Sequence, residues 1–96
     1  MRLRDQLPAL HDAILRLASA HGAEDVRVFG SVARGEERLD SDIDFLVRLA
    51  PGRTLFDIAR LELGLEQLLG RAVDVVPEPT LREPLRTAAL RDAIRV

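Results

Sequence analysis

Two carboxylates separated by a single residue, Asp42 and Asp44, are the side chains of this sequence best suited to carry chemistry. On an extended strand such a pair points to the same side, so both carboxylates can bind one divalent cation. Magnesium prefers hard oxygen ligands of this kind and usually keeps substrate phosphates among its ligands. The pair therefore predicts metal-assisted chemistry on a phosphate compound. The alternative is that Asp42 only stabilises a turn, as aspartates often do.

A Gly-Ser step earlier in the chain favours the catalytic interpretation, because it comes directly before a short predicted helix. The N-terminus of a helix attracts anions, and a glycine lets backbone N–H groups approach them closely. We expect Gly30 and Ser31 to hold the β- and γ-phosphates of a nucleoside triphosphate through those N–H groups and the serine hydroxyl. Arg34 is a further candidate for a phosphate contact. The alternatives are that Ser31 caps the helix and that Arg34 pairs with Glu36 or Glu37 at the surface.

Asp74 is the third acid with a candidate role, because it interrupts an apolar run over residues 72–76. An unpaired charge is costly to bury, so this carboxylate needs a cation, a proton or solvent. If its strand lies beside the strand of Asp42 and Asp44, the three carboxylates converge. Asp74 would then bind a second metal ion and take the proton from an attacking hydroxyl group. The alternative is an edge strand on which Asp74 simply faces water.

The composition argues against several other classes of protein. The net charge is -2, and the fourteen basic residues, all arginines, are spread along the chain, so we expect no direct nucleic-acid binding. Cysteine is absent, which excludes disulfides and thiolate metal sites and is compatible with a cytoplasmic location. We find neither a signal-peptide pattern nor a membrane-spanning stretch. With 96 residues we expect one domain over residues 1–96, too small to hold a separate acceptor-binding domain.

Hydrophobic periodicity predicts the elements that must position these residues. The predicted helices cover residues 3–20, 31–36, 54–70 and the segment from Pro84 to the end near Val96, and the predicted strands cover residues 26–29, 43–49 and 72–76. This order predicts an α/β (α+β) fold with a small mixed sheet on which helices pack. The apolar face of the last helix is expected to pack on that sheet. The alternative is that it docks a partner or forms a homo-oligomer.

The segment GSVARGEERLDSDIDFLV, followed later by AVDVV, resembles the minimal nucleotidyltransferases of the DNA polymerase beta-like superfamily. The resemblance covers about half of the chain and implies a polymerase beta-like nucleotidyltransferase fold. It implies that Asp42 and Asp44 bind magnesium and that Asp74 completes the triad. It also implies that Gly30 and Ser31 hold the triphosphate.

Family members of this size are similar to the antitoxin halves of two-gene modules, whose partner is an all-helical HEPN-domain ribonuclease toxin. The resemblance implies transfer of AMP from ATP to a tyrosine hydroxyl of the toxin, with two magnesium ions and with Asp74 activating that hydroxyl. This chain contains no tyrosine, so a tyrosine acceptor must be supplied in trans. Two alternatives stay open. The same fold would silence the toxin by stoichiometric binding alone, or it would modify a small molecule such as an antibiotic.

Overall fold

The computed structural model describes residues 2–96 and shows a mixed four-stranded sheet with helices packed on it. The elements follow in the order α1 (Leu3–Ala20), β1 (Ala23–Phe29), α2 (Gly30–Ala33), β2 (Ile43–Leu49), α3 (Leu55–Leu69), β3 (Val73–Pro77), a short 3-10 turn (Glu78–Thr80), α4 (Leu85–Asp92) and β4 (Ile94–Arg95). The strands lie side by side in the order β3-β2-β1-β4. β2 is parallel to β3 and antiparallel to β1, which is antiparallel to β4. The predicted α/β architecture is confirmed.

One face of the sheet carries the main hydrophobic core. Val28 of β1 and Ile43 and Phe45 of β2 are fully buried, together with Ile14 of α1 and Leu61 of α3. Their burial follows the alternation of side chains along a strand, in which every second residue points to the same face. Burial of such aliphatic and aromatic side chains stabilises the fold by about 1.5–3 kcal/mol each. The sheet is thereby held rigidly against α1 and α3.

The opposite face of the sheet carries the candidate chemistry and is partly covered by α4, which contacts β1. Leu46 and Ala89 are buried outside the main core cluster. Because side chains alternate along β2, Asp44 lies on the same face as Leu46. The prediction that the last helix packs on the sheet is therefore confirmed, and this packing sets α4 beside the face that carries Asp44.

The ends of α3 agree with the sequence because its caps are local. Thr54 Oγ1 accepts a hydrogen bond from the backbone N–H of Phe56 at 3.2 Å, and Asp57 Oδ2 accepts one from the N–H of Thr54 at 2.9 Å. These reciprocal bonds form a capping box. At the other end Gly70 has φ of 69°, a left-handed conformation that glycine adopts without strain.

The C-terminal boundary is the clearest error of the sequence prediction. The predicted terminal helix extends to the end of the chain, but α4 ends at Asp92. Ile94 and Arg95 form β4 instead and pair with Val28 and Arg27 of β1. The spacing of apolar residues gave no sign of this strand, because its pairing depends on the free edge of β1. Within residues 2–96, no helix is both long enough and apolar enough to cross a bilayer.

Candidate active site

Asp44 and Asp74 lie next to each other because β2 and β3 are parallel and pair these two residues in register. Residues at the same level of neighbouring strands point to the same face of a sheet. Asp42 precedes β2 by one residue, is exposed, and is two positions from Asp44. β3 is also an edge strand, and Asp74 is exposed. The expected pairing of the two strands is therefore present, and it sets Asp74 beside Asp44 at a solvent-facing edge of the sheet. The metal-binding and proton-accepting roles of Asp74 stay predictions.

The pKa of Asp44 shows that these carboxylates interact. Burial, followed by the negative charges of Asp74 and Asp42, raises the pKa of Asp44 from its ordinary value of 3.8 to about 6, while the positive charge of Arg34 opposes this shift. A carboxylate beside other carboxylates holds its proton more tightly because a second negative charge is unfavourable there. A divalent cation at this position would relieve the repulsion.

This raised pKa has a measurable consequence for stability. The folded state holds the Asp44 proton more tightly than the unfolded state, so the protonated side chain adds to the free energy of unfolding. The metal-free protein loses this added stability as the pH rises from about 4 to 6. At neutral pH we expect the free energy of unfolding of Asp44→Asn to be about 1 to 2 kcal/mol higher than that of wild type, so the variant is more stable. This value is reduced to account for the partial exposure of Asp44 to solvent. The difference should vanish near pH 4. Urea unfolding in the presence of a chelator, at both pH values, measures it.

Asp40→Asn is the matched control for this experiment, since Asp40 is exposed in the preceding loop. It should leave the free energy of unfolding nearly unchanged at both pH values. A stabilisation by Asp44→Asn that is the same near pH 4 and at neutral pH would contradict the electrostatic explanation.

The three acids fit a magnesium ion in their donor chemistry, since Asp42, Asp44 and Asp74 offer only hard carboxylate oxygens. Their repulsion at Asp44 indicates a position where positive charge is favourable. Among the residues that the structure describes, no three acidic or histidine side chains are already drawn together closely enough to hold a metal ion.

Gly30 lets the Asp44 carboxylate lie directly against the turn between β1 and α2. Its φ is 71°, and a Cβ atom at this position would lie 2.5 Å from Asp44 Oδ2. The positive φ favours glycine at this position, and a side chain there would displace the Asp44 carboxylate. Phe29 is the N-cap of α2, without a side-chain capping bond. Ser31 therefore lies inside the helix, and its interpretation as the helix cap is wrong.

Arg34 is engaged in two ion pairs in this structure. Its Nε lies 3.1 Å from Glu36 Oε2, and its Nη1 lies 3.2 Å from Asp92 Oδ2 at the end of α4. The hydrogen bond from Arg34 holds the pKa of Asp92 below its ordinary range. The surface ion pair with Glu36 was the alternative to a phosphate contact that the sequence analysis considered for Arg34. Asp92 was missed, because nothing in the local pattern connects α4 with Arg34.

Arg71 was also missed, and it holds the loop that leads into Asp42. Its Nη2 donates hydrogen bonds to the carbonyl oxygens of Arg38 and Ser41, the latter at 3.1 Å. Ser41 Oγ in turn accepts a hydrogen bond from the backbone N–H of Arg38 at 2.8 Å. Because Asp42 follows Ser41 directly, these bonds restrict the position of its carboxylate.

Two glutamates of α3 hold the strand that carries Asp74. Glu62 Oε2 accepts a hydrogen bond from the N–H of Val75 at 2.8 Å, and Glu66 Oε2 accepts one from the N–H of Val73 at 3.1 Å. These N–H groups face away from β2 and would otherwise form an open sheet edge. The strand is thus held on both sides, which fixes the level of Asp74 beside Asp44.

A cavity of about 300 Å³ opens at Asp44 and Asp74 and extends along α4. Gly30, Arg34 and Asp92 also line it, and its apolar lining consists of Phe29, Val76, Leu81, Leu85, Ala88 and Ala89. A larger cleft of about 780 Å³ near the start of α1 contains none of the candidate catalytic residues in its lining. The site that combines Asp44 and Asp74 with Gly30 and a cavity is therefore on the α4 face of the sheet.

Residues 10–96 match the model of the nucleotidyltransferase domain. Protein adenylyltransferase MntA of Thermococcus cleftensis is 38% identical over 80 residues, which cover 83% of this chain and 81% of that protein. The solved structure of a candidate minimal nucleotidyltransferase is 54% identical with a TM-score of 0.85, and the match covers 100% of this chain and 97% of that one.

A more distant structure shares the fold. It contains a tri-AMPylated HEPN toxin of Shewanella oneidensis in complex with an MNT antitoxin, and it matches with a TM-score of 0.66 and 20% identity. The match covers 88% of this chain and 66% of the matched chain. At this identity the likeness concerns the fold alone.

Proposed function

This chain belongs to the nucleotidyltransferase domain family, and we propose that it is a magnesium-dependent protein adenylyltransferase acting on a tyrosine of a partner protein. The observation that carries the proposal is the register of β2 and β3, which sets Asp44 beside Asp74 at the mouth of one cavity. The relative from Thermococcus cleftensis, a protein adenylyltransferase, supports protein as the acceptor class. The donor in this proposal is ATP.

The proposed partner is a HEPN-domain toxin encoded by a neighbouring gene, with this chain as its antitoxin. The complex of an AMPylated HEPN toxin with an MNT antitoxin supports this partner, because one of its chains shares the present fold. The proposal treats residues 1–96 as one minimal nucleotidyltransferase domain that acts in the cytoplasm. The absence of tyrosine from this sequence is compatible with an acceptor on another chain.

In the proposed reaction the tyrosine oxygen forms a bond to the α-phosphorus of ATP while the bond to pyrophosphate breaks. Asp74 accepts the proton of the hydroxyl group, for which its exposure at the strand edge leaves it accessible. Asp42, Asp44 and Asp74 would hold magnesium, two ions in this proposal, which neutralises charge on the attacking and leaving oxygens. Gly30 begins the turn that faces Asp44, and it would direct backbone N–H groups at the phosphates.

Arg34 is proposed to contact a phosphate after exchanging its present ion pairs. Its side chain is 43% exposed, and Glu36 is more exposed still. Ion pairs of a solvent-exposed arginine contribute little to stability because water screens them. A triphosphate offers several negative charges to the same guanidinium group, so the exchange is energetically accessible.

Intact-mass analysis of the partner protein tests the proposal. The partner encoded beside this gene is incubated with this chain, magnesium and ATP, and we expect a gain of one or more AMP units. α,β-Methylene-ATP is the matched control, because its α-phosphorus cannot lose pyrophosphate, and it should give no added mass. A partner that is silenced in a stable complex with no added mass would contradict the proposal and favour an antitoxin that acts by stoichiometric binding.

A further inference from the structure

The cavity has an apolar part that no metal or phosphate contact of the proposed mechanism uses. It is lined by Phe29 of β1, Val76 of β3 and Leu81, and by residues of α4. The α4 residues that line the cavity are Leu85, Ala88, Ala89 and Asp92. This i, i+3, i+4, i+7 spacing is that of one helix face, so α4 presents a single mostly apolar surface to the cavity.

We propose that this apolar part is the acceptor subsite and binds the aromatic ring of the partner's tyrosine, an inference that rests on the proposed function. A phenol ring needs apolar contact around its body and one polar partner at its hydroxyl. The apolar lining supplies the first, and Asp74 at the mouth of the same cavity supplies the second. The volume of about 300 Å³ is at the lower end of the range for small-ligand sites, which suits a single ring.

The adenine base of ATP is the competing occupant, and the chemistry of the lining argues against it. Recognition of a base requires polar groups at its edge, because a buried donor or acceptor without a partner is unfavourable. The charged side chains of the lining are Arg34, Asp44, Asp74 and Asp92, and Arg34 and Asp92 pair with each other, so none of them belongs to the apolar part. The apolar part therefore suits the acceptor ring rather than the base.

Small side chains on α4 keep the subsite open. Ala89 is buried and Ala88 is partly buried. A larger side chain at position 88 would fill part of the space that the ring needs. Leu85 is 69% exposed at the rim of the cavity. A leucine this exposed provides an apolar contact for the residues that flank the tyrosine in the partner.

Ala88→Phe is the variant that tests the subsite, and Ala59→Phe is its matched control, because Ala59 is exposed on α3. We expect Ala88→Phe to lower kcat/KM for AMP transfer to the partner at least about tenfold, since a filled pocket excludes the ring. The Kd for α,β-methylene-ATP should stay within about twofold of wild type. Leu85→Ala, at an exposed position that does not threaten folding, should raise the KM for the partner while kcat is retained.

The outcomes separate the subsite from the proposed function. A wild-type chain that transfers no AMP overturns both. Wild-type transfer that Ala88→Phe and Leu85→Ala leave unchanged overturns the subsite alone. A weakened Kd for α,β-methylene-ATP in folded Ala88→Phe also overturns it, because the base would then be the occupant. Circular dichroism of each variant establishes folding, and if Ala88→Phe is unfolded, the effect of Leu85→Ala on KM decides the question.

Discussion

The Asp42→Asn/Asp44→Asn double variant is expected to lose AMP transfer by about a thousandfold or more while it stays folded. Asparagine keeps the size of each side chain but removes the two negative charges that would hold magnesium next to the α-phosphate. The fold should survive, because Asp42 is exposed and the charge on Asp44 is unfavourable in the metal-free protein. Initial rates from intact-mass analysis of the partner measure the loss.

Asp40→Asn is the matched control here as well, since it removes one negative charge from the adjoining exposed loop. It should retain transfer within about twofold, because surface substitutions away from a site have small effects. Neutralisation of the partner by the folded double variant would rule out an obligatory catalytic mechanism. That result would assign antitoxin activity to stoichiometric binding and leave the acids with a regulatory role.

Gly30→Ala is expected to reduce AMP transfer about a hundredfold or more and to destabilise the fold through backbone strain. The positive φ of Gly30 costs an alanine roughly 1 kcal/mol. The new Cβ atom would also lie 2.5 Å from Asp44 Oδ2, a distance at which the carboxylate must move away from its position. Displacement of a catalytic carboxylate by about 1 Å is enough for an effect of this size.

Gly70→Ala is the control that separates the contact with Asp44 from the backbone strain of an alanine at positive φ. Gly70 has nearly the same φ, 69° against 71°, but a Cβ atom added there would meet no other atom within 4 Å. Gly70→Ala should therefore lose a similar backbone contribution to stability while AMP transfer stays close to wild type. Thermal unfolding and transfer rates of the two variants should be measured together. Equal transfer rates in Gly30→Ala and Gly70→Ala would show that Asp44 does not depend on the glycine.

The predicted and observed bounds agree most closely for helices and strands whose ends are marked by residues nearby in the chain. β2 covers Ile43–Leu49 in both, and the helix predicted over residues 54–70 is α3, which spans Leu55–Leu69 between the caps Thr54 and Gly70. A capping box, a C-terminal glycine and a run of apolar residues are encoded within a few positions of the boundary they set. A short helix directly after β1 was predicted for the same reason, although α2 begins at Gly30 and ends at Ala33 rather than covering residues 31–36.

The sequence identified the candidate site residues, but it did not determine how those residues are placed relative to one another. Asp42 and Asp44 are close in any fold, because only Ile43 separates them in the chain. The position of Asp74 beside Asp44 depended on whether β3 pairs with β2, and in which direction and register. Parallel pairing in register brings Asp74 to the level of Asp44, whereas a shift of one residue would have turned it to the opposite face.

The acidic pair, the Gly30 turn, the apolar strands and the ends of α3 follow from the sequence alone, because each is set by residues close together in the chain. The strand order, the addition of β4, the bonds from Arg71 to the Asp42 loop and the pairing of Asp92 with Arg34 are settled at the tertiary level. These contacts join segments far apart in sequence, and they form only when burial of the common core brings the segments together. The cavity along α4 belongs to this second group, since its walls come from β1, β3 and α4 and exist only where those elements pack.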